Sequence, residues 1–407
     1  MGLILDTGET DRAISISSAK MDVRHIVIDT RYPLELRSNG TYLAAKNIAR
    51  EQFSAGEDAK LIFLREAHRT ICDEDDEHFV RVLTLAGRTV LGRRVSINTD
   101  VLDTITAGGS ARIFFHIHGA RNPALWSLIL RLREKAIPYA MTIHGHYSHL
   151  FDRTDSVRRY LSAFYLRHVE RHILERACFV QALTEAECKF IRRIAPRARV
   201  ELVSNGAYSS RLEGKPPPPQ RASPSANFPI FGYLGRYSVE HKGLDLLIAG
   251  FTRYRRAGGI GRLELVGTGS ARDQIAAEVH KLGIAEFVDV CGPRFGEEKA
   301  RTLAAWDYFV MPSRFEGVPL GAIEAALAGL PLIVTAETGL LRPVKNFGAG
   351  VAIESLSPEA ILHSLLQAES LNAVQWAQMS DASYRMAVSI GDWTSIAAKL
   401  VSLYRGC

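Results

Sequence analysis

A run of four consecutive prolines divides the sequence into two stretches that carry the same kind of pattern. The segment Lys215–Ser225, KPPPPQRASPS, can enter neither a helix nor a central strand, so it predicts an extended, semi-rigid linker. On each side of it, short β-branched and aromatic runs alternate with longer amphipathic segments. This alternation is typical of parallel sheets with helices on both faces. We therefore predict an α/β protein with two Rossmann-like domains.

The predicted elements follow from these runs. In the first stretch the predicted strands are His25–Asp29, Lys60–Leu64, Arg112–Ile117, Tyr139–Ile143, Cys178–Gln181 and Val200–Val203, and the predicted helices are Thr41–Ser54, Ala124–Lys135, Ser156–Glu175 and Glu185–Ile194. In the second stretch the elements are Pro229–Leu234, Leu244–Arg255, Leu263–Val266, Ala271–Leu282, Phe287–Val290, Glu297–Ala305, Tyr308–Met311, Pro319–Leu327 and Pro331–Thr335. The predicted domains are 1–210 and 228–387, joined by the linker 211–227. The last residues, 388–407, are a C-terminal helix that is a candidate to pack back on the first domain.

Length and composition exclude several classes of protein. A chain of 407 residues exceeds what one hydrophobic core usually holds, and 47% apolar with 23% charged residues excludes a disordered or collagen-like chain. No stretch approaches the ~20 apolar residues of a spanning helix, and the N-terminus lacks the basic region of a secretory signal. The five cysteines show no C-x-x-C spacing, which predicts a reducing compartment without disulfides. We therefore expect a cytoplasmic protein.

The net charge of +6 is concentrated in one part of the chain. Between Phe151 and Arg211 there are 12 Lys/Arg and 7 Asp/Glu, so this segment alone contributes +5. A basic stretch of this kind is compatible with a solvated face, an anionic membrane surface or nucleic acid. No nucleic-acid motif accompanies the charge, so we expect no nucleic-acid partner. A peripheral position on the inner face of a membrane is the sharper hypothesis.

Basic residues follow the first predicted strand of the second domain. Gly235 and Arg236 end that strand, and Lys242 precedes the next helix. Arginine supplies a forked donor and lysine a point charge, so together on one loop they suit a diphosphate. Gly235 lets the backbone approach a ligand closely. Taken alone, the loop could equally be a basic surface turn.

Two acids flank a predicted helix start further along the chain. Glu316 precedes Pro319, which we place in the first helical turn, and Glu324 follows in the second turn. The N–H groups of Leu320 and Gly321 would then face the cleft as an anion site. A carboxylate can accept hydrogen bonds from two vicinal hydroxyls. This spacing suits a ligand with phosphates in the middle and a sugar on each side, although either acid alone could be a capping or a surface residue.

Four motifs in sequence order carry a family resemblance: GRYSVEHKGLDLLIAGF, LELVGTGS, VCGP and MPSRFEGVPLGAIEAALAGLPLIVT. They resemble the donor-binding domain of retaining, family 4 type glycosyltransferases (group 1) with the GT-B fold. The resemblance is strong from Phe231 to Gly350. The first stretch matches more loosely, through the Ser38–Gly40 loop, PYAMTIHG ending at Gly145 and VSNG ending at Gly206. It implies two Rossmann-like domains whose parallel sheets face a cleft.

The resemblance also implies roles for individual residues. Arg236 and Lys242 resemble the pair that neutralises the diphosphate leaving group. Glu316 resembles the acid that positions the donor sugar, and Glu324 the acid that holds the ribose hydroxyls. His144 is similar to the histidine that reaches the donor sugar from the first domain. The remaining positions expected to contact substrate are Gly235, Gly317, Val318 and Leu320, the Gly292–Pro293 loop beside the nucleobase, and the Gly40 loop beside the phosphates and acceptor.

The sequence departs from the family's pattern at three places. Pro319 stands where a second glycine is common, which removes one possible N–H donor. Arg342 stands where an acid is common. Ala207 and Tyr208 replace the last two residues of a typical NGVD.

The implied chemistry is transfer of a hexosyl group from a nucleotide-diphosphate sugar to a glycan or lipid-linked acceptor in envelope or exopolysaccharide synthesis, with retention at the anomeric carbon. Arginine, lysine and the helix start would stabilise the developing diphosphate charge, so we expect no metal and no cofactor beyond the donor. Two alternatives remain: a non-catalytic scaffold of the same fold, and a nucleotide-sugar epimerase. Intact Arg236, Lys242, Glu316 and Glu324 argue against the scaffold.

Three other motifs are weaker. The D-x-D within Asp73–Asp76 lies in an acidic turn, and the three histidines in 144–149 lie on a loop, whereas zinc requires ligands on rigid elements. We interpret His116 and His118 as structural histidines. Gly267–Thr268–Gly269 has Arg272 where the dinucleotide fingerprint requires a third glycine, so it does not predict NAD.

Overall fold

The computed structural model describes residues 20–29, 40–65, 78–90, 93–108, 112–145, 163–208 and 228–407. Within these residues the two parallel sheets predicted from the sequence are confirmed. The proline-rich linker, the acidic segment Asp73–Asp76, the Ser38–Asn39 pair and the histidines at 146 and 149 lie outside the described residues. The expectations placed on them remain predictions.

The first sheet contains seven parallel strands. The strands of this half of the chain are β1 Asp22–Asp29, β2 Asp58–Arg65, β3 Val80–Thr84, β4 Thr89–Val90, β5 Arg93–Arg94, β6 Ile113–His118, β7 Tyr139–Thr142, β8 Val180–Ala182 and β9 Val200–Leu202. The order across the sheet is β3-β2-β1-β6-β7-β8-β9, while β4 and β5 form a separate antiparallel pair. The helices are Gly40–Ser54, Thr99–Thr106, Leu125–Glu134, Arg171–Arg176 and Glu185–Ile194, and a π-helical turn, Leu166–Glu170, precedes the fourth.

The second sheet contains six parallel strands. They are β10 Ile230–Leu234, β11 Arg262–Val266, β12 Val288–Cys291, β13 Tyr308–Met311, β14 Leu332–Thr335 and β15 Gly350–Ile353, in the order β12-β11-β10-β13-β14-β15. The helices are Val239–Lys242, Leu244–Arg256, Arg272–Lys281, Gly296–Ala305, Leu320–Leu327, Leu341–Phe347, Pro358–Glu369, Ala373–Ile390 and Trp393–Arg405, with a 3₁₀ turn at Ala336–Thr338.

The strand order reverses at the same place in both sheets. β1 lies between β2 and β6, and β10 lies between β11 and β13. At such a switch point the two adjoining crossovers run to opposite faces and leave a crevice at the carboxyl ends of the strands. The residues after β6, β10 and β13 are therefore placed to form sites.

The last helix, Trp393–Arg405, packs on the first domain, as the predicted fold class allowed. Its apolar residues recur at three- and four-residue spacing, and Trp393, Leu400 and Tyr404 are buried in one cluster with Val23 and Phe114 of the first sheet. The helix thus covers a face of the first sheet that would otherwise be exposed.

One expectation about the cysteines is wrong. Cys178, two residues before β8, and Cys407, after the last helix, form a disulfide with their Cα atoms 5.9 Å apart. The two residues are separated by 229 positions, so no local spacing reveals the pair. They meet because the C-terminal helix returns to the first domain. Cys188 and Cys291 are not disulfide-bonded.

Candidate active site

A buried ion pair joins the basic loop after β10 to the acidic loop after β13 in the second domain. Lys242 ends a short helix after β10, and its Nζ donates to Oε1 of Glu316, which lies in the loop after β13. Only 12% and 9% of these side chains are exposed. The Ser313 hydroxyl also donates to Glu316 Oε1, at 3.0 Å. Burial raises the pKa of Glu316, but the Lys242 ammonium and these hydrogen bonds outweigh it, so the net pKa shift is downward. The side chain of Glu316 is therefore ionised at neutral pH.

Arg236 joins this pair through a histidine that the sequence analysis did not single out. Arg236 Nη2 lies 3.1 Å from His241 Nδ1, and His241 Nε2 lies 3.8 Å from Glu316 Oε1. The imidazole also stacks on Phe315, with ring centroids 4.3 Å apart. Burial, followed by the neighbouring Lys242 charge, lowers the pKa of His241 to about 3, so the ring is neutral. Its position directly before Lys242 was the available sequence signal.

Glycines allow the loops around this pair to approach one another. A Cβ on Gly267 would lie 1.8 Å from the carbonyl oxygen of Gly235, and one on Gly243, whose φ is +64°, would lie 2.1 Å from that of Pro312. The N–H of Tyr237 also donates to the Thr268 carbonyl at 2.8 Å. The G-T-G motif therefore holds the Arg236 loop in place.

The helix start beside Glu316 differs by one residue from the prediction. The helix begins at Leu320, and Pro319, with φ −75° and ψ 109°, is its N-cap rather than part of the first turn. The extended ψ of Pro319 means that helical dihedrals begin only at Leu320. The N–H groups of Leu320 and Gly321 still have no acceptor within the helix.

Glu324 lies one turn into this helix and pairs with Lys299 instead of Lys242. Its Oε1 accepts a hydrogen bond from Lys299 Nζ at 2.8 Å, and 35% of its side chain is exposed. The two acids of the motif therefore differ: Glu316 is enclosed by Lys242, whereas Glu324 forms a half-exposed pair.

The first domain reaches this site through the loop after β7. A Cβ on Gly145, whose φ is +74°, would lie 2.7 Å from the N atom of Gly317 and 3.0 Å from the carbonyl carbon of Glu316. Glu187 fixes the loop by accepting the N–H of Gly145 at 2.9 Å. Burial raises the pKa of Glu187, and its backbone hydrogen bonds oppose that rise. The structure therefore brings His144 and Gly145 against the Glu316 loop.

The other expected positions lie around this centre. Gly40 begins the helix that follows β1, Gly292 follows β12, and a Cβ on either would meet no atom within 4 Å. Pro293 follows Gly292, and Val318 packs on the second domain's core. The substrate-binding roles of these residues remain predictions.

Three buried histidines of the first domain lie close together. His116 and His118 share a face of β6, and His25 on β1 is aligned with His116. Their ligand atoms lie within 4.8 Å of one another, close enough to suggest a metal site. The rings of His116 and His118 are stacked, however, with centroids 4.4 Å apart and planes at 20°, so their nitrogens do not converge on one point. Their ring nitrogens are hydrogen-bonded instead, which agrees with a structural interpretation.

Comparisons with known families agree with this geometry. Residues 39–206 match the Glycosyl transferase 4-like domain, and residues 228–369 match Glycosyl transferases group 1. The 2-deoxystreptamine glucosyltransferase of Streptomyces kanamyceticus is 26% identical over 226 residues, which are 53% of this chain and 58% of the relative. A GDP-mannose-dependent phosphatidylinositol monomannoside mannosyltransferase of Mycobacterium tuberculosis is 25% identical over 240 residues, 56% of this chain and 61% of the relative. The chain thus spans somewhat less than two thirds of these relatives.

Solved structures share the fold along nearly the whole chain. Sucrose-phosphate synthase from Thermosynechococcus elongatus superposes with a TM-score of 0.70 at 17% identity, covering 95% of this chain and 99% of that one. HepE from Anabaena, in complex with UDP and glucose, gives a TM-score of 0.69 at 16% identity, covering 94% and 98%. The two matched domains, the strand order of both sheets and these neighbours show that the chain belongs to the group 1 glycosyltransferases of the GT-B fold.

Proposed function

We propose that the chain is a retaining glycosyltransferase that moves a hexosyl group from a nucleotide-diphosphate sugar to a glycan or lipid-linked acceptor. One observation carries the proposal. The Glu316–Gly317 loop of the second domain, whose carboxylate pairs with Lys242, lies against the His144–Gly145 loop of the first domain. Charged groups for a diphosphate and for sugar hydroxyls therefore meet where the two domains touch.

The ion pair supports a simple account of donor binding. Lys242 and Glu316 neutralise each other in a site from which water is largely excluded. A diphosphate carries more negative charge than one carboxylate, so it competes for Lys242. Glu316, held by Ser313, then turns its oxygens to the hydroxyls of the sugar. Binding the donor thus prepares the acid that positions it.

The same residues suit the bond that breaks. Cleavage of the glycosyl–phosphate bond leaves an oxocarbenium-like sugar and adds negative charge to the diphosphate. Lys242, Arg236 and the N–H groups at Leu320 would stabilise that charge as it develops, because they are fixed before reaction. These groups can neutralise the leaving group without a divalent metal. The acceptor hydroxyl would attack from the face that the diphosphate leaves, and the diphosphate would take its proton.

Glu324 and the Gly292–Pro293 loop would bind the nucleoside. Glu324 is half-exposed and paired with Lys299, so ribose hydroxyls can approach it without breaking a buried contact. The open space at Gly292 leaves room for a base beside the backbone.

The acceptor side is proposed to touch an anionic membrane surface. In the described part of the basic segment, Phe164 is 64% exposed and Arg167 is exposed beside it. None of the helices in the described ranges has the length and hydropathy needed to cross a membrane. Each basic residue near an anionic surface adds about 1 kcal/mol, so a few suffice for reversible attachment. The relative from Mycobacterium tuberculosis, whose acceptor is a phosphatidylinositol mannoside, favours a lipid-linked acceptor here.

We also propose a cytoplasmic location. The Cys178–Cys407 disulfide argues against it, since such bonds persist in oxidising compartments. Rapid alkylation of thiols in intact cells decides it. If both cysteines are alkylated, the compartment is reducing; if neither is, a cytoplasmic location is wrong.

The proposed reaction is tested by a donor panel. A thermal-shift screen with GDP, UDP and ADP selects the nucleotide, and nucleotide release from matching donors is then measured with and without acceptor. We expect release that depends on acceptor, and a product whose anomeric configuration by NMR equals that of the donor. Isomerised donor would indicate an epimerase, inversion would overturn the retaining mechanism, and no turnover with any donor would favour a scaffold.

Membrane contact has its own test. Arg158, Arg159 and Arg167 changed together to glutamate should release the protein from anionic vesicles at low salt and leave nucleotide binding intact. High salt should also release the wild type, because the Debye length shrinks from ~10 Å at 0.1 M to ~3 Å at 1 M. A wild type that ignores anionic vesicles at low salt would make a soluble acceptor the better proposal.

A further inference from the structure

The two cations of the candidate active site are held by different kinds of partner. Lys242 donates to the carboxylate of Glu316, so the two charges neutralise each other. Arg236 Nη2 instead lies 3.1 Å from Nδ1 of His241. A guanidinium has donors and no acceptor, so Nδ1 of His241 must accept this hydrogen bond. An imidazole that accepts at Nδ1 carries its hydrogen on Nε2 and is neutral. This contact therefore orients Arg236 without neutralising its charge.

The acid on the other side of the ring favours the same arrangement. Nε2 of His241 lies 3.8 Å from Oε1 of Glu316, which is too long for a hydrogen bond but close enough for an N–H dipole to face the carboxylate favourably. The opposite tautomer would place an N–H against the guanidinium and a lone pair against the carboxylate. Both neighbours thus favour a hydrogen on Nε2. Burial and the Lys242 charge lower the pKa of His241, in agreement with a neutral ring.

The loop after β13 fixes the position of this ring. The backbone N–H of Arg314 donates to the carbonyl of His241 at 3.0 Å, and the Arg314 guanidinium is held by both oxygens of Asp245, at 2.8 and 2.7 Å. The ring of Phe315 stacks on the imidazole, with centroids 4.3 Å apart and planes at 13°. Backbone and side chain of His241 are therefore both held, so Nδ1 has a defined position before any ligand binds.

We propose that His241 is a positioning residue that acts through Arg236: it orients the guanidinium for the diphosphate and leaves the positive charge available. A carboxylate in this position would also orient Arg236, but it would neutralise the charge, as Glu316 does for Lys242. An apolar ring would leave the charge without the orientation. This inference rests on the proposed function, because it assigns a role within the proposed diphosphate site.

The role should be visible in the affinity for the diphosphate. Whichever of GDP, UDP and ADP binds in the thermal-shift screen is compared by calorimetry with its monophosphate. His241→Phe keeps a planar ring on Phe315 and removes the acceptor. We expect it to weaken diphosphate binding about tenfold, the effect of losing one hydrogen bond to a charged group. Monophosphate binding should change much less, because that ligand lacks the phosphate that carries the sugar.

Two variants of equal shape separate orientation from charge. In His241→Asn, Oδ1 replaces Nδ1 as a neutral acceptor, so diphosphate affinity should stay within a few-fold of wild type. His241→Asp differs from it only in charge and pairs with Arg236, so we expect a loss of about tenfold or more. His280→Phe is the control, since His280 is exposed on the Arg272–Lys281 helix of the same domain, and it should change neither affinity.

A double-mutant cycle shows whether His241 acts through Arg236. In the Arg236→Ala background, His241→Phe should cause no further loss of diphosphate affinity, because the contact that it removes is already absent. Protein labelled with ¹⁵N-histidine supplies a second measurement that needs neither a ligand nor a functional variant. The signal of His241, identified by its loss in His241→Asn, should show the hydrogen on Nε2 in the wild type.

A hydrogen on Nδ1 of wild-type His241 would overturn the inference. So would an unchanged diphosphate affinity in His241→Phe, equal losses for diphosphate and monophosphate, an equal loss in His241→Asn, or the full loss repeated in the Arg236→Ala background. Failure of the proposed function gives a different result. A wild type that binds none of the three nucleotides would refute the diphosphate site and this role together, whereas normal wild-type binding with any of the results above refutes only the role of His241.

Discussion

The two domains share a strand order but differ in the chemistry at their switch points. In the second domain the loops after β10 and β13 carry charged groups, with Lys242 paired to Glu316 and Arg236 beside them. In the first domain the neighbouring strands β1 and β6 carry neutral histidines, with His25 and His118 buried and hydrogen-bonded. The same strand order therefore carries charged loops in one domain and neutral histidines in the other.

This difference matches the two parts of the proposed reaction. A diphosphate requires fixed positive charge, which the second domain supplies close to the cleft. A sugar between two domains requires hydrogen-bond partners, and neutral histidines could supply them without attracting phosphate. The comparison leads to four predictions, taken from the largest expected effect to the smallest.

Removing the charged edge should reduce turnover most. Arg236→Ala and Lys242→Ala should each lower kcat by ~10²–10³, because each removes a fixed donor to the diphosphate. Arg253→Ala is the control, since Arg253 pairs with Glu359 on an exposed surface of the same domain. Steady-state kinetics and thermal unfolding measure the two effects. Activity within a few-fold of wild type in both variants would refute the diphosphate site.

Acidification should destabilise the first domain before the second. The folded-state pKa of His25 lies near 4, below its ordinary 6.5, so the unfolded chain binds a proton that the folded chain excludes. The contribution of His25 to the free energy of unfolding is therefore complete above pH 6.5 and is lost as the pH falls toward 4. For this residue alone the loss is about 3 kcal/mol. The low pKa values of His116 and His118 act in the same direction, so three buried histidines destabilise the first domain, whereas His241 alone among the shifted histidines of the described residues does so in the second. Hydrogen exchange between pH 7 and 5 should show β1 and β6 opening first; earlier opening of β10 and β13 would contradict this.

Breaking the disulfide should loosen the first domain alone. Cys407→Ser releases the end of the last helix from Cys178 and should lower the free energy of unfolding by about 2 kcal/mol or more, because the bond closes a loop of 229 residues. Cys291→Ser is the matched control, since Cys291 lies in the second domain and is not disulfide-bonded. Equal losses in both variants, measured by chemical unfolding, would show that the disulfide does not stabilise the fold.

The two acids of the second domain should differ in a binding experiment. Glu324→Gln should weaken nucleotide diphosphate binding about tenfold, by removing a charge-assisted hydrogen bond to ribose. Glu316→Gln should leave that affinity unchanged or raise it, because it releases Lys242 for the diphosphate, but it should impair sugar transfer. Calorimetry with free nucleotide decides this. If Glu316→Gln loses affinity and Glu324→Gln does not, the proposed roles are reversed.

Sequence patterns located most of the elements in both domains. The Glu185–Ile194 helix and β13 have the predicted bounds, and most others differ by one to three residues. The sequence patterns did not indicate β3, β4, β5, β15 or the helices Thr99–Thr106, Val239–Lys242 and Leu341–Phe347. β3 is an edge strand with Val82 52% exposed, so it lacks the buried alternation that identifies a strand. The Thr99–Thr106 helix contains three threonines, one valine and one isoleucine, which are β-branched and favour strands.

The site was predicted less evenly. The sequence indicated Arg236, Lys242 and Glu316, because charged residues after strands and beside glycine are visible locally. It did not indicate that Lys242 and Glu316 pair with each other or that His241 lies between Arg236 and Glu316. Lys242 and Glu316 lie 74 positions apart in the sequence.

The sequence by itself determined the two α/β domains, their strands and the charged loops, because hydrophobic periodicity and turn residues act over a few positions. Only the tertiary structure decided the disulfide, the contact between Gly145 and Gly317, and the histidine network. Each of these joins residues from distant parts of the chain, and Tyr404 meets His116 across 288 positions. Such contacts form only when the last helix packs on the first sheet and the two domains meet. That packing depends on the burial of whole apolar faces, which no short sequence pattern specifies.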